Sequence, residues 1–99
     1  MSFHLTEKAK ADLQDIGRYT QKTWGRDQRN RYLQKIDDAF HDLSQNPDKG
    51  QNCDNIRKGY QKFSLGKHFI FYRVTQPHQI EIVRVLHARM NILQRLTEN

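Results

Sequence analysis

The chain of 99 residues has one cysteine, Cys53. A single thiol excludes an intramolecular disulfide and fits a reducing compartment. It also excludes a zinc set built on cysteines. The five histidines, His4, His41, His68, His78 and His87, fall in no HxH or HExxH spacing, so no metal is expected. Only 35% of residues are hydrophobic, and no run approaches the ~18 apolar residues of a membrane span. The N-terminal "MSFHLTEKAK" lacks the apolar core of a secretory signal. These absences predict a soluble, cytoplasmic protein with no membrane contact. The length allows one domain, 1–99, and not two. A chain this small buries roughly 60–65% of its unfolded surface, so the core must be modest. No Gly-x-Ser-x-Gly, P-loop or GxGxxG is present, and no cofactor is implied. Acidic residues fall mostly on helix faces, which gives no carboxylate pair for acid–base work.

Acidic residues are also unevenly scarce. Residues 1–50 carry nine Lys/Arg and eight Asp/Glu, whereas residues 51–99 carry eight and three. The net charge of +6 therefore comes mostly from the second half. Such a field attracts nucleic acid or an acidic protein, or simply keeps a small protein soluble.

What is present divides by period. "SFHL" (2–5) alternates and predicts a short strand. Thr6 is a good N-cap for a helix over "EKAKADLQDIGRYTQKTW", where Ala9, Leu13, Ile16, Thr20 and Trp24 mark one face. Gly25 breaks it. In "RDQRNRYLQKIDDAFHDLSQ", Leu33, Ile36, Phe40 and Leu43 form a second stripe, flanked by Tyr32 and Ala39 and stopped at Asn46-Pro47. Helices joined this tightly form an antiparallel hairpin. Residues 46–55 read as a loop. Period 2 then takes over, predicting strands at 56–66, 67–74 and 79–87 with turns at Gly66 and at 75–78. A turn centred on Gln76-Pro77 pairs Phe71 with Ile82 and Phe69 with Arg84 on one face, and Ile70 with Val83 and His68 with Val85 on the other. Both faces are apolar, so each needs a cover. The hairpin supplies one; Met90, Ile92, Leu93 and Leu96 in the tail supply part of the other.

Cations and rings interleave along the strands: Arg57, Lys58, Lys62, Lys67, Arg73, Arg84 and Arg89 among Tyr60, Phe63, His68, Phe69, Phe71, Tyr72 and His87. Cations hold phosphates, rings stack bases and a histidine shuttles protons, which is the chemistry of RNA cleavage. Strand alternation alone also produces this pattern. His87 reads first as a half-buried histidine bonded to backbone where the last strand ends. Arg84 is placed to stack on Phe69 or to reach a partner's carboxylate. Trp24 and Gly25 read as the hinge of the hairpin.

The order of a short strand, a two-helix hairpin, three strands and a short tail is similar to the ParE branch of the ParE/RelE toxin superfamily. The residues carrying this are "YTQKTWG" (19–25), "DQRNRYLQKIDDAFHDLSQNP", "IRKGYQKFSLGKHFIFYR" (56–73) and "IEIVRVLHARMN" (80–91). Most specific is the closing Arg-x-Leu-His-x-Arg-Met-Asp pattern, matched by Arg84, Leu86, His87, Arg89 and Met90, with Asn91 in place of Asp. The resemblance implies an α+β fold in which the hairpin packs on an antiparallel sheet. It implies the toxin of a type II toxin–antitoxin module, without enzymatic activity of its own. Such a toxin binds DNA gyrase, blocks supercoiling, promotes DNA breaks and arrests growth. A ParD-like antitoxin would wrap and neutralise it, and would carry the operon's DNA-binding end, so the toxin alone is expected to read no DNA sequence. Candidate contacts for gyrase or antitoxin are Arg57, Tyr60, Lys62, Arg73, Arg84, His87, Arg89, Met90 and Asn91; candidates for an antitoxin groove are Leu13, Ile16, Tyr19 and Trp24. The RelE branch implies ribosome-dependent mRNA cleavage instead, with Arg73, Arg84 and His87 as its catalytic candidates here. The chain has no tyrosine beyond Tyr72 and only Lys35 as a lysine in the second helix, which weighs against that branch. An inactive binding module of the same fold is the third reading.

Overall fold

The structure is a computed structural model that describes residues 2–77 and 79–97. Its elements are β1 (Ser2–Leu5), α1 (Glu7–Trp24), α2 (Arg26–Gln45), a 3-10 turn (Pro47–Lys49), β2 (Gln51–Asn52), β3 (Gln61–Leu65), β4 (His68–Gln76), β5 (Gln79–His87) and α3 (Ile92–Thr97). The sheet runs β1-β5-β4-β3-β2. Every neighbouring pair is antiparallel except β1 with β5, which is parallel.

Local chemistry explains the helices. The Thr6 hydroxyl accepts from the Ala9 amide at 3.0 Å and donates to the Val83 carbonyl at 2.7 Å, so one side chain caps α1 and ties it to β5. Gly25, at φ +94°, ψ 172°, is the whole connection between the helices. Side chains at Gln21 and Arg29 meet across the hairpin, and a Cβ on Gly17 would lie 3.5 Å from Leu33. Contacts whose residue numbers share one sum are those of antiparallel helices.

The helices cover one face of the sheet. Ala9, Ile16, Ile36, Phe40 and Leu43 pack there with Ile70, Tyr72, Ile80, Ile82 and Val85. The other face has a smaller core of Cys53, Tyr60, Phe71, Leu86 and Leu96. Of the four tail residues expected to cover it, Ile92 and Leu96 do so. Met90 and Leu93 are instead exposed, at 43% and 58%. Trp24, expected on the buried stripe of α1, is 71% exposed because the helix ends there, beyond the sheet.

The hairpin register differs from that expected. β4 continues to Gln76, which pairs with Gln79, and His78 in the expected turn lies outside the described residues. The reversal therefore falls one residue later. Phe71 faces Arg84, Phe69 faces Leu86, Ile70 faces Val85 and His68 faces His87. Two irregularities follow: Thr75 is unmatched in β4, and Val83 is unmatched in β5. The strand expected at 56–66 begins only at Gln61, because residues 52–60 close on themselves. Asp54 accepts from the Gly59 amide at 2.7 Å, and the Tyr60 carbonyl accepts from the Cys53 amide at 2.8 Å.

Candidate functional site

Arg84 is not displayed. It is 8% exposed, and its Nε and Nη2 each donate to an Asp12 carboxylate oxygen at 2.8 Å. Asp12 also accepts from the Val85 amide at 3.0 Å. The physical reason lies in the sheet edge. β1 pairs with β5 only as far as Ile82. Beyond that point α1 replaces the missing strand, with Thr6 and Asp12 satisfying the backbone that β1 leaves open. Val83 is the bulge at this junction, and such a residue re-aims its neighbours. The expected stacking of Arg84 on Phe69 is therefore replaced by an ion pair. Lys62 covers the Phe69 ring instead, at 4.8 Å.

The last strand ends in a ring cluster. His68 and His87 meet edge to face at 5.2 Å. His87 Nδ1 accepts from the Arg89 amide at 3.0 Å, which leaves its proton on Nε2. The Tyr32 hydroxyl lies 2.6 Å from His68 Nδ1 and 3.3 Å from the Leu65 carbonyl. A donor chain from His68 through Tyr32 to that carbonyl satisfies all three. Burial, and then the neighbouring His87, hold the His68 pKa below its ordinary value. Burial raises that of Tyr32. Tyr32 was not among the expected site residues, and His68 was expected only as one of the rings interleaved with cations along the strands. The signal for His68 was its distance from the turn: a reversal one residue later puts it opposite His87.

The other candidates are dispersed. Arg73 donates to Glu81 at 2.7 Å, and Glu81 also bonds His4 at 2.9 Å. Arg73 lies five residues along β4 from His68, roughly 16 Å. Arg73, Arg84 and His87 therefore do not converge on one point. Arg57 bonds the Leu96 carbonyl at 3.0 Å, and its guanidinium lies 5.4 Å from the centre of the buried Tyr60 ring. Arg89 and Met90 are exposed. Met90, expected to help cover the sheet, instead sits exposed in a turn closed by its amide on the His87 carbonyl at 3.0 Å. Asn91 accepts from the Gln94 amide at 3.2 Å, the N-cap bond of α3, which an Asp in that place also makes.

A groove runs between α1 and α2. Leu13, Gly17 and Leu33 form its floor, and Gln14, Arg18 and Arg29 its rim, enclosing about 560 Å³. Of the groove candidates, Leu13 lies in it. Ile16 is 8% exposed and belongs to the main core, since three residues set it about 60° around the helix from Leu13. Tyr19 and Trp24 are open to solvent at 68% and 71%. A second cleft, of about 310 Å³, lies between the start of α1 and the end of α3. Among the described residues, no helix is long and apolar enough to cross a membrane.

This fold, with a hairpin closing one face of a five-stranded sheet, is shared with a solved structure, "Chromosomal ParDE TA system from P. aeruginosa". The TM-score is 0.75 and the identity 25%, over 88% of this chain and 95% of that one. The class is thus that of a toxin–antitoxin fold. Toxin ParE1 of Mycobacterium tuberculosis is 44% identical over 92 residues, 93% of this chain and 94% of that protein. Toxin ParE1 of Caulobacter vibrioides is 38% identical over 89 residues, 90% and 91% of the two chains. Toxin ParE of Escherichia coli is 27% identical over 97 residues, 98% and 94%. Residues 3–92 match the family described as "ParE toxin of type II toxin-antitoxin system, parDE". The chain belongs to the ParE toxin family.

Proposed function

We propose that this chain, acting as one domain over 1–99, arrests growth by binding DNA gyrase, and that a ParD-like antitoxin neutralises it. The family match over residues 3–92 carries this reading. The geometry supports a binding role over catalysis. Arg84, the arginine of the closing motif, is engaged with Asp12, and Arg73 is engaged with Glu81. The antitoxin is assigned to the α1–α2 groove, whose apolar floor and cationic rim fit an amphipathic acidic segment.

The test is supercoiling of relaxed plasmid by gyrase and ATP, with purified protein titrated in. Loss of supercoiled product and accumulation of linear DNA are expected. Unchanged supercoiling at micromolar concentration of folded protein would sink the reading. The ring cluster of Tyr32, His68 and His87 favours one alternative, ribosome-dependent mRNA cleavage, since it is where a proton could be exchanged. New cleavage sites in a translating extract, lost in His87→Ala, would establish that alternative.

A further inference from the structure

The cleft between the start of α1 and the end of α3 is built unlike the groove between the long helices. Tyr60, Val83 and Leu96 form its apolar wall. Around them stand Lys8, Arg57 and Arg95. Among the described residues none of these three has a carboxylate within ion-pair distance. Arg84 also lines the cleft, but Asp12 already balances its charge. Among the described residues, the one carboxylate lining the cleft, Glu7, is held by Lys10 at 3.3 Å. Among the described residues the cleft is therefore a local excess of positive charge against an apolar surface.

Arg57 is tethered at one end of the cleft. Its guanidinium lies against the Tyr60 ring at 5.4 Å, and Nη1 is used on the Leu96 carbonyl. The ring and that bond hold one side of the exposed fork against the protein, while Nε and Nη2 have no described partner. A fork already held at one nitrogen loses less freedom on binding a carboxylate than an untethered one, and arginine matches that group with two parallel bonds. Lys8 is half-buried on the opposite wall and adds a point charge without fixed direction.

We propose that this cleft binds an acidic segment of a partner protein, with a glutamate or aspartate carboxylate on Arg57 and the neighbouring apolar side chain against Tyr60, Val83 and Leu96. The inference holds for whichever protein carries the segment. The supercoiling assay and the test below read different properties, so either reading can fail alone.

The test is a titration of the isotopically labelled protein, followed by backbone amide and arginine Nε–H NMR signals. The probe is acetyl-Glu-Leu-Glu-Leu-Glu-amide, and its all-glutamine counterpart is the control. Saturable shifts are expected at residues 6–8, 57–60 and 95–96, with the glutamine peptide binding markedly more weakly. Lys8→Gln with Arg95→Gln removes two side chains that make no described bond, so the fold is not at stake. That variant should lose about three- to fivefold in affinity per charge, and Arg57→Lys should weaken binding by removing the fork while keeping the charge. Lys35→Gln, on the exposed side of α2, should bind as the unaltered chain does. Shifts spread evenly over all exposed cations would overturn the proposal. So would equal affinity for the two peptides, or a Lys8/Arg95 variant that binds unchanged.

Discussion

Arg84 and Asp12 form one structural unit with the Val85 amide, and their energetics follow from burial. Both side chains are about one-tenth exposed, at 10% and 11%. Removing one member leaves a buried charge alone, which costs about 3–5 kcal/mol. Arg84→Ala is therefore expected to fall in that range in urea denaturation. Replacing both, as Asp12→Leu with Arg84→Met, should recover much of the loss but not all of it. The Val85 amide would still lack its acceptor, a penalty of about 1–3 kcal/mol. A double variant as stable as the parent would show that the amide finds another partner. His68 gives a pH dependence with a defined sign. Its folded pKa is depressed, first by burial and then by His87. Below the ordinary value of about 6.5 the unfolded chain takes up a proton that the folded chain refuses. Stability is thus full above that pH and declines as pH falls toward the folded pKa. His68→Gln should flatten the stability profile between roughly pH 7 and 5.5, in the range set by the unfolded histidine. A second decline starts near pH 4.3, from Glu81. Burial pushes Glu81 up, but the bonds from His4 and Arg73 outweigh it and hold its pKa low.

At the scale of elements, the connections carry the information. Gly25 joins α1 to α2 alone, at φ +94° and ψ 172°, a region that side chains other than glycine's rarely enter. A Cβ there would meet nothing within 4 Å, so the cost is backbone strain and not collision. Gly25→Ala should lower stability by about 1–3 kcal/mol, read as a shift of the thermal midpoint. α3 is six residues long and starts at the Asn91 cap. Asn91→Ala should loosen it at a cost of about 0.5–2 kcal/mol, while Asn91→Asp keeps the cap. Faster amide exchange at residues 92–96 in the alanine variant checks this.

These elements show what was legible beforehand. Both long helices, the Thr6 cap and the Gly25 break rest on neighbours within four residues, and a linear sequence displays those relations. The roles of Arg84 and His68 depend on partners far along the chain. Asp12 is 72 residues from Arg84, and its place among Ala9, Leu13 and Ile16 was the one local hint that a buried carboxylate awaited a cation. His68 depends on the register of a hairpin whose turn lay one residue later than expected. The α1–α2 groove was legible only at Leu13, because Gly17 has no side chain to announce that two helices part beside it.

At the scale of the whole molecule, charge governs encounter. A net charge of +6 would, under the proposed pairing, raise the rate at which an acidic antitoxin segment finds this chain, and salt screens that field within ~10 Å at 0.1 M. Under the proposed pairing, raising salt from 0.05 to 0.5 M, roughly a threefold shorter screening length, should slow association while changing dissociation less. Stopped-flow mixing with purified antitoxin measures both, and a salt-independent on-rate would remove electrostatic steering from the account.

The place of β5 sets the order in which the molecule can come into being. It is next to last in the chain but lies inside the sheet, between the first strand and the fourth. Leu5 pairs with Ile82, and Thr6 with Val83, each 77 residues apart. During synthesis β1 and the helical hairpin emerge first, with the sheet-facing side of the hairpin still waiting for strands not yet made. The ribosome must deliver nearly the whole message before β1 has a neighbour, so the native surface of the protein is withheld until translation is almost complete.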